Sequence, residues 1–255
     1  MPTRSFADDL RSWRRRRGVS QLDLALRAGT TQRHVSFIES GRSTPGRAMV
    51  IRLAESLEVP LRERNVLLLS AGYAPAYPRT DWADPAMAPV RTAVEQILRG
   101  HEPYPAIVVD RDGDLVAAND AFAVITEGVA PELLVPPVSV PRVFLDPRGV
   151  APRIGNFAAW AWHVLDALRA QTARTPNART DELIAELTAV VPERPTGPDH
   201  LGFAVPLQLD SARGRLTLIT TLTQFATAVD VTVAELRLEA FLPADAATES
   251  LLRIP

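Results

Sequence analysis

Residues 19–41, VSQLDLALRAGTTQRHVSFIESG, constrain the fold more than any other stretch of the chain. They read as two short helices joined at Gly29, each opened by a hydroxyl residue. Ser20 is placed to cap the first, its hydroxyl accepting from a free backbone N–H, and Asp23 three positions on nearly completes a capping box. Leu24, Ala25 and Ala28 share one face at helical spacing. The small alanines let a second helix cross closely. Gly29 stands where the chain leaves the helix, with the positive φ that glycine adopts at little cost. Thr31 is placed to cap the second helix, and Val35 and Ile38 turn inward. Gln32, Arg33, Ser36 and Phe37 are left on or near the outer face.

Two helices around a glycine turn are the layout of a helix-turn-helix, whose second helix enters the DNA major groove. Gln32 and Arg33 occupy its first turn, the part that reaches base edges. Gln can bond adenine twice, and Arg can do the same with guanine. Gln21 opens the preceding helix, where its amide and the helix N-terminus suit a phosphate. Arg42, just past Gly41, is placed to hold another. Arg14 to Arg17 form a basic run on the first helix. Helical neighbours point in different directions, so only some of them, Arg14 included, are expected at phosphate. The plainer reading makes any one of these residues part of a solvated face.

The net charge of −2 conceals an asymmetry. Residues 1–79 hold 14 Arg against 7 acidic residues, and residues 80–255 hold 14 Arg against 23. The halves therefore carry +7 and −9. A basic first module fits a polyanionic partner, and an acidic remainder should face away from it. At 255 residues the chain has room for two domains. It contains no cysteine, which excludes disulfides and thiolate metal sites. No apolar run approaches the ~20 residues that span a bilayer, and the N-terminus lacks the apolar core of a signal peptide. The expectation is a cytoplasmic protein without membrane association.

Catalysis is not expected. His34, His101, His163 and His200 show no metal-ligand spacing. Ser139, Ser211 and Ser250 lack a nucleophile context, and the glycines form no phosphate loop. No cofactor or metal is expected.

Periodicity places helices at 6–17, 47–57 and 61–71 around the central pair, completing a helical bundle. Residues 73–85, rich in Pro and aromatics, read as a semi-rigid linker. A helix is expected at 86–99, strands at 106–110 and 115–118 around the turn Arg111-Asp112-Gly113-Asp114, and a short helix at 121–126. Residues 128–154 read as loops with little regular structure. Helices are expected at 156–173 and 180–190. Period-two alternation then marks three strands: Phe203 to Leu209, Leu216 to Leu222, and a third running from Val229 through Leu236 and Leu238 to Phe241, stopped by Pro243. A short helix at 245–252 closes the chain. Two strands early and three late, with helices between, match a PAS-like sheet.

Two resemblances follow. Residues 10–72 resemble the Cro/CI-like, or XRE, DNA-binding domains, through Leu10, Arg14, Gly18, Ser20-Gln21, Leu24-Ala25, Ala28-Gly29, Val35-Ser36, Ile38-Glu39, Gly41, Pro45 and Leu53-Ala54-x-x-Leu57. That resemblance implies a phosphate contact for Gln21 beside Gln32, and bases for Gln32, Arg33 and Ser36. Phe37 departs from the polar residue many relatives carry. Residues 103–243 resemble the PAS-related ligand-binding domain of MmyB-like transcription regulators. The residues are Pro105-Ala106-x-Val108-x-Asp110, Val116-x-Ala118-Asn119-x-Ala121, Phe144-Leu145-Asp146-Pro147-Arg148 and Trp160-x-x-x-Val164-x-x-Leu168-Arg169. The usual aromatic and basic signature before the third strand is replaced by the proline-rich 192–200.

The expected fold is therefore an all-α, lambda-repressor-like helix-turn-helix bundle followed by an α/β PAS-like domain. Residues 1–74 form the DNA-binding domain, 75–102 a linker and connecting helix, and 103–255 a ligand-binding and dimerisation domain. DNA contacts are expected from Arg14, Gln21, Thr31, Gln32, Arg33, Ser36, Phe37 and Arg42. Trp160 and Trp162 point to different faces of one helix, so both cannot sit deep in one core. A pocket for an apolar ligand, fatty-acid-like by the resemblance, is expected from Phe122, Phe157, Trp160 and His163, with Arg148 for a carboxylate head. The partners implied are a duplex operator, a second copy of the chain and that ligand. The alternative makes the second domain a dimerisation or protein-partner module without a ligand.

Overall fold

The computed structural model describes residues 5–195 and 204–253. Two compact units emerge, one of residues 1–81 with 227–234, the other of 82–226 with 235–255.

The first unit contains α1 (Phe6–Arg16), α2 (Gln21–Arg27), α3 (Gln32–Glu39), α4 (Arg47–Ser56) and α5 (Leu61–Ser70). Each start has a local cause. Ser5, Ser20 and Thr31 accept from the backbone N–H of Asp8, Asp23 and His34 and so cap α1, α2 and α3. Gly29 turns the chain between α2 and α3 at φ 62°. One apolar core joins the helices, built on Leu10, Trp13, Leu24, Ala25, Val35, Ile38, Leu53 and Leu68. Thr31→Ala removes the cap of α3 and is expected to cost ~1 kcal/mol, read as faster amide exchange in its first turn.

The unit runs past the boundary expected at residue 74. Tyr73 donates to the Pro45 carbonyl (3.0 Å), and the Asn65 side chain accepts from Ala76 and Tyr77 backbone N–H groups. Residues 78–81 continue it by pairing with the segment between the last two strands. The Val231 N–H reaches the Pro78 carbonyl (2.8 Å), and the Asp230 carboxylate accepts from the Thr80 hydroxyl (2.7 Å).

The second unit is built on a five-stranded antiparallel sheet in the order β2-β1-β5-β4-β3. Its strands are β1 (Ala106–Val109), β2 (Leu115–Ala118), β3 (Leu207–Ser211), β4 (Gly214–Gln224) and β5 (Arg237–Pro243). The first pair and last three are distant in sequence, and β5 closes the sheet by pairing with both β1 and β4. Residues 196–200 of the proline-rich stretch and Phe203 lie outside the described residues.

Alternation sorts the side chains. Ala106, Val108, Leu238 and Ala240 pack with Val94 and Leu98 of α6 (Ala88–Gly100). Ile107, Val109, Leu216, Leu218 and Phe241 belong to the larger core on the other face. That core includes residues of α7 (Ala123–Thr126), α8 (Val140–Leu145), α9 (Phe157–Arg174) and α10 (Ala178–Thr188).

Two expectations are corrected. Residues 128–154 are not merely loops: α8 forms there, with 3-10 turns at Pro131–Leu134 and Ala151–Arg153. The third late strand does not begin at Val229. Residues Val231–Glu235 form α11, and β5 starts only at Arg237. The helix α12 (Ala246–Leu252) follows β5, capped by Asp245.

Candidate functional site

The α3 helix is held from below and open above. Val35 and Ile38 are fully buried, while Gln32 and Arg33 in the first turn are exposed and Ser36 is half-buried on the same side. Phe37 is half-buried. The Arg33 guanidinium lies over its ring at 5.1 Å and that of Arg42 at 6.0 Å. One aromatic ring thus orients two cations at the outer face of the helix. The Thr31 side chain is spent on its cap, and His34 Nδ1 lies 3.0 Å from the Thr30 hydroxyl.

The last residue of α3 explains why this helix is rigidly placed. Glu39 is buried, and its carboxylate takes a fork from Arg14, at 2.6 Å from Nε and 2.9 Å from the terminal nitrogen. Gln21 donates its amide to the same carboxylate at 2.7 Å, and Arg11 donates to the Glu39 carbonyl. Burial alone would push the Glu39 carboxyl up. The hydrogen bonds from Arg14 and Gln21, with the charges of Arg14 and Arg11, outweigh it and hold the group below the usual carboxylate range.

This corrects the assignment of Arg14 to phosphate. All three of its nitrogens serve Glu39 and the Val19 carbonyl, inside the bundle. The Gln21 amide is likewise turned inward, leaving its carbonyl and backbone for any outside partner. Glu39 itself was missed as the organising residue. Its only sequence signal was an acid ending the second helix of a motif preceded by an arginine run.

In the second unit, the interior opposite α9 is aromatic. Phe144 stacks on Phe241 with centroids 5.7 Å apart. Phe122 lies 6.4 Å from Phe241, and Trp160 lies 6.3 Å from Phe144. Trp160 is buried, whereas Trp162 is half-buried beneath the guanidinium groups of Arg169 and Arg194. The two tryptophans therefore do face apart. Phe122 sits in the core and Phe157 packs at its margin.

Two expected ligand residues are not in this interior. His163 is exposed, its ring 5.7 Å from that of Trp160. Arg148 is exposed and paired with Asp146 at 3.0 Å and Glu132 at 3.3 Å. It lies on a surface turn, so Arg148→Ala is expected to leave the midpoint of a urea titration unchanged.

Sequence reading overlooked Arg237 and Glu239, in phase with Phe241 on β5. Arg237 donates to the Gln171 side-chain oxygen and to the Asp110 carbonyl (3.3 Å). Burial pushes its guanidinium down, partly offset by the charges of Glu239 and Asp110. Burial pushes the Glu239 carboxyl up, partly offset by Arg237. Among the described residues no cluster of His, Asp and Glu could hold a metal, and no helix is long and apolar enough to cross a membrane.

A basic helix-turn-helix unit and a PAS-like α/β unit thus define a DNA-binding regulator with an appended sensory fold. Comparison with known families agrees. The helix-turn-helix family matches residues 10–64. The MmyB-like transcription regulator ligand binding domain matches residues 90–254, and the chain belongs to that family. Both are DNA- or ligand-binding families rather than enzymes. No curated protein matches the chain significantly. Among solved structures it is similar to an RNA-binding light-oxygen-voltage receptor, at 15% identity over 97% of this chain and 61% of that one, with a TM-score of 0.29. This chain spans about three fifths of that protein's length, and the likeness is too slight to carry an argument.

Proposed function

We propose that the chain binds a specific operator duplex as a homodimer on an inverted repeat, and that its second unit binds an apolar, fatty-acid-like small molecule that changes the affinity for DNA. The DNA half is carried by the exposed first turn of α3, where Gln32 and Arg33 face outward, Arg33 resting over the Phe37 ring, and Arg42 flanks them. Gln32, Arg33 and Ser36 read bases. Arg42 and the exposed Arg15 and Arg16 contribute phosphate contacts. Phe37 lends its edge to a thymine methyl while holding the two arginines.

The sensory half rests on the aromatic interior around Phe122, Phe144, Trp160 and Phe241. The strands β4 and β5, which carry part of that interior, are joined by residues 227–234, and these cluster with the DNA-binding unit. A shift in either strand is thus covalently continuous with that unit. For the ligand to alter DNA affinity it must bind the DNA-competent and incompetent states unequally.

One observation favours the reading without a ligand: the four interior aromatics already pack on one another. Native mass spectrometry of the purified chain, followed by extraction of whatever travels with it, separates the two. A copurifying acyl compound at one per subunit supports the sensor. An apo dimer that no lipid or metabolite stabilises against heat supports a dimerisation module.

A further inference from the structure

The sheet of the second unit ends differently at its two edges. At one edge β2 is only four residues long. At the other, β3 covers only part of β4. Its last pair sets Leu207 against Leu218, while β4 runs on beside β5 to Gln224. Residues 219–224 therefore have a strand on one side and, among the described residues, none on the other.

One residue fixes where the backbone groups of this segment point. The Thr217 N–H donates to the Thr248 hydroxyl (2.9 Å), and its carbonyl accepts from the N–H of Ala244 (2.8 Å), the residue after β5. Thr217 thus faces the β5 side. Along an antiparallel strand, successive residues turn their backbone groups to opposite neighbours. The pairing with β5 runs without a bulge from Leu218 to Gln224. Thr220, Leu222 and Gln224 therefore turn N–H and C=O toward the uncovered edge. Residues 221–224 are all exposed, Leu222 at 63%.

A bare edge is a template for another strand, and proteins blunt such edges with charge, proline, bulges or shortness. Residues 219–224, ITTLTQ, carry none of these. They lie within 216–229, the longest stretch of residues 80–255 without a charged side chain. Since residues 80–255 carry −9, a second copy is repelled by this unit as a whole and least at this edge. The segment also complements itself. A two-fold axis at Leu222 sets Thr220 against the partner's Gln224, Leu222 against the partner's Leu222 and Gln224 against the partner's Thr220. Each of these pairs exchanges two backbone hydrogen bonds, the exposed leucine packs on its copy, and no like charges meet. We infer that the free half of β4 is the homodimer contact, where residues 219–224 of two copies pair antiparallel and join their sheets into one. This rests on the homodimer reading above and names its surface.

The test is sedimentation of the full chain, without DNA, over a concentration series. The wild-type chain is expected to dimerise. Leu222→Lys sets two ammonium groups against each other at the axis and is expected to weaken the dimer about tenfold or more. Leu222 belongs to neither core of the unit, and circular dichroism checks that the variant is folded. A second variant reads the contact directly. The chain has no cysteine, so Leu222→Cys supplies one thiol per subunit. At the axis the two α-carbons stand ~5.5 Å apart, within the span of a disulfide. Mild oxidation is expected to convert that variant to a covalent dimer and to leave Val190→Cys, at an exposed position elsewhere, as separate chains. A wild-type dimer that Leu222→Lys leaves intact and Leu222→Cys does not cross-link overturns the contact and leaves the homodimer standing. A chain that is monomeric at every concentration overturns the contact and the homodimer together.

Discussion

Glu39→Ala is expected to destabilise the DNA-binding unit by ~3–5 kcal/mol, because it strands the Arg14 guanidinium in a nearly closed site. The Glu39 side chain is 2% exposed and that of Arg14 13%, so water recovers little of the lost interaction. The Gln21 amide and its anchor between α2 and α3 go with it. Hydrogen exchange on the full chain reads the effect locally. Amides of α1–α3 should lose protection while those of the sheet keep theirs. The pH dependence has a definite sign. The carboxyl sits below its ordinary range when folded, so its stabilisation is present above the unfolded value, near ~4.3, and is lost as pH falls through the folded value. Glu39→Gln should flatten that acid-side loss.

Arg33→Ala is expected to cost ~1–3 kcal/mol of operator binding and to relax preference at one base pair. The cost on unrelated DNA should be much smaller. The salt dependence should change little, since a base contact neutralises no phosphate. Equal losses on operator and unrelated DNA would reassign Arg33 to the backbone. Phe37→Leu isolates the supporting role: with the ring gone from between Arg33 and Arg42, operator affinity should fall by ~0.5–1 kcal/mol while the helix stays folded.

The helix-turn-helix was readable because its signals are local. Ser20, Gly29 and Thr31 each act within four residues of themselves, and the structure uses all three as read. Arg14 was misassigned because its partner lies 25 residues away, and charge alone does not say whether an arginine faces phosphate or a buried acid. The short α8 was missed because Pro141 reads as a breaker, although a helix tolerates proline in its first turn. The segment from Val229 imitated a strand through alternating valines. Asp230 decides otherwise: its carboxylate accepts from the Thr232 N–H at 2.8 Å, and the chain turns into α11.

In the second unit the order of elements was legible and the inward-facing charged residues were not. Phe122 and Trp160 are interior, but His163 and Arg148, selected for their chemistry, proved to be surface residues. The pair in register with Phe241 was passed over because charged residues in a strand read as solvent-facing. Only the pairing of β5 with both β1 and β4 turns Arg237 and Glu239 inward.

Selection of bound duplexes from a random pool by the full chain tests the central claim most directly. The account predicts enrichment of an inverted repeat whose half-sites lie about one helical turn apart, ~10 base pairs centre to centre. It also predicts that Arg33→Ala loses that enrichment at one symmetric position. A pool that stays random, with binding that depends on salt alone, would contradict it.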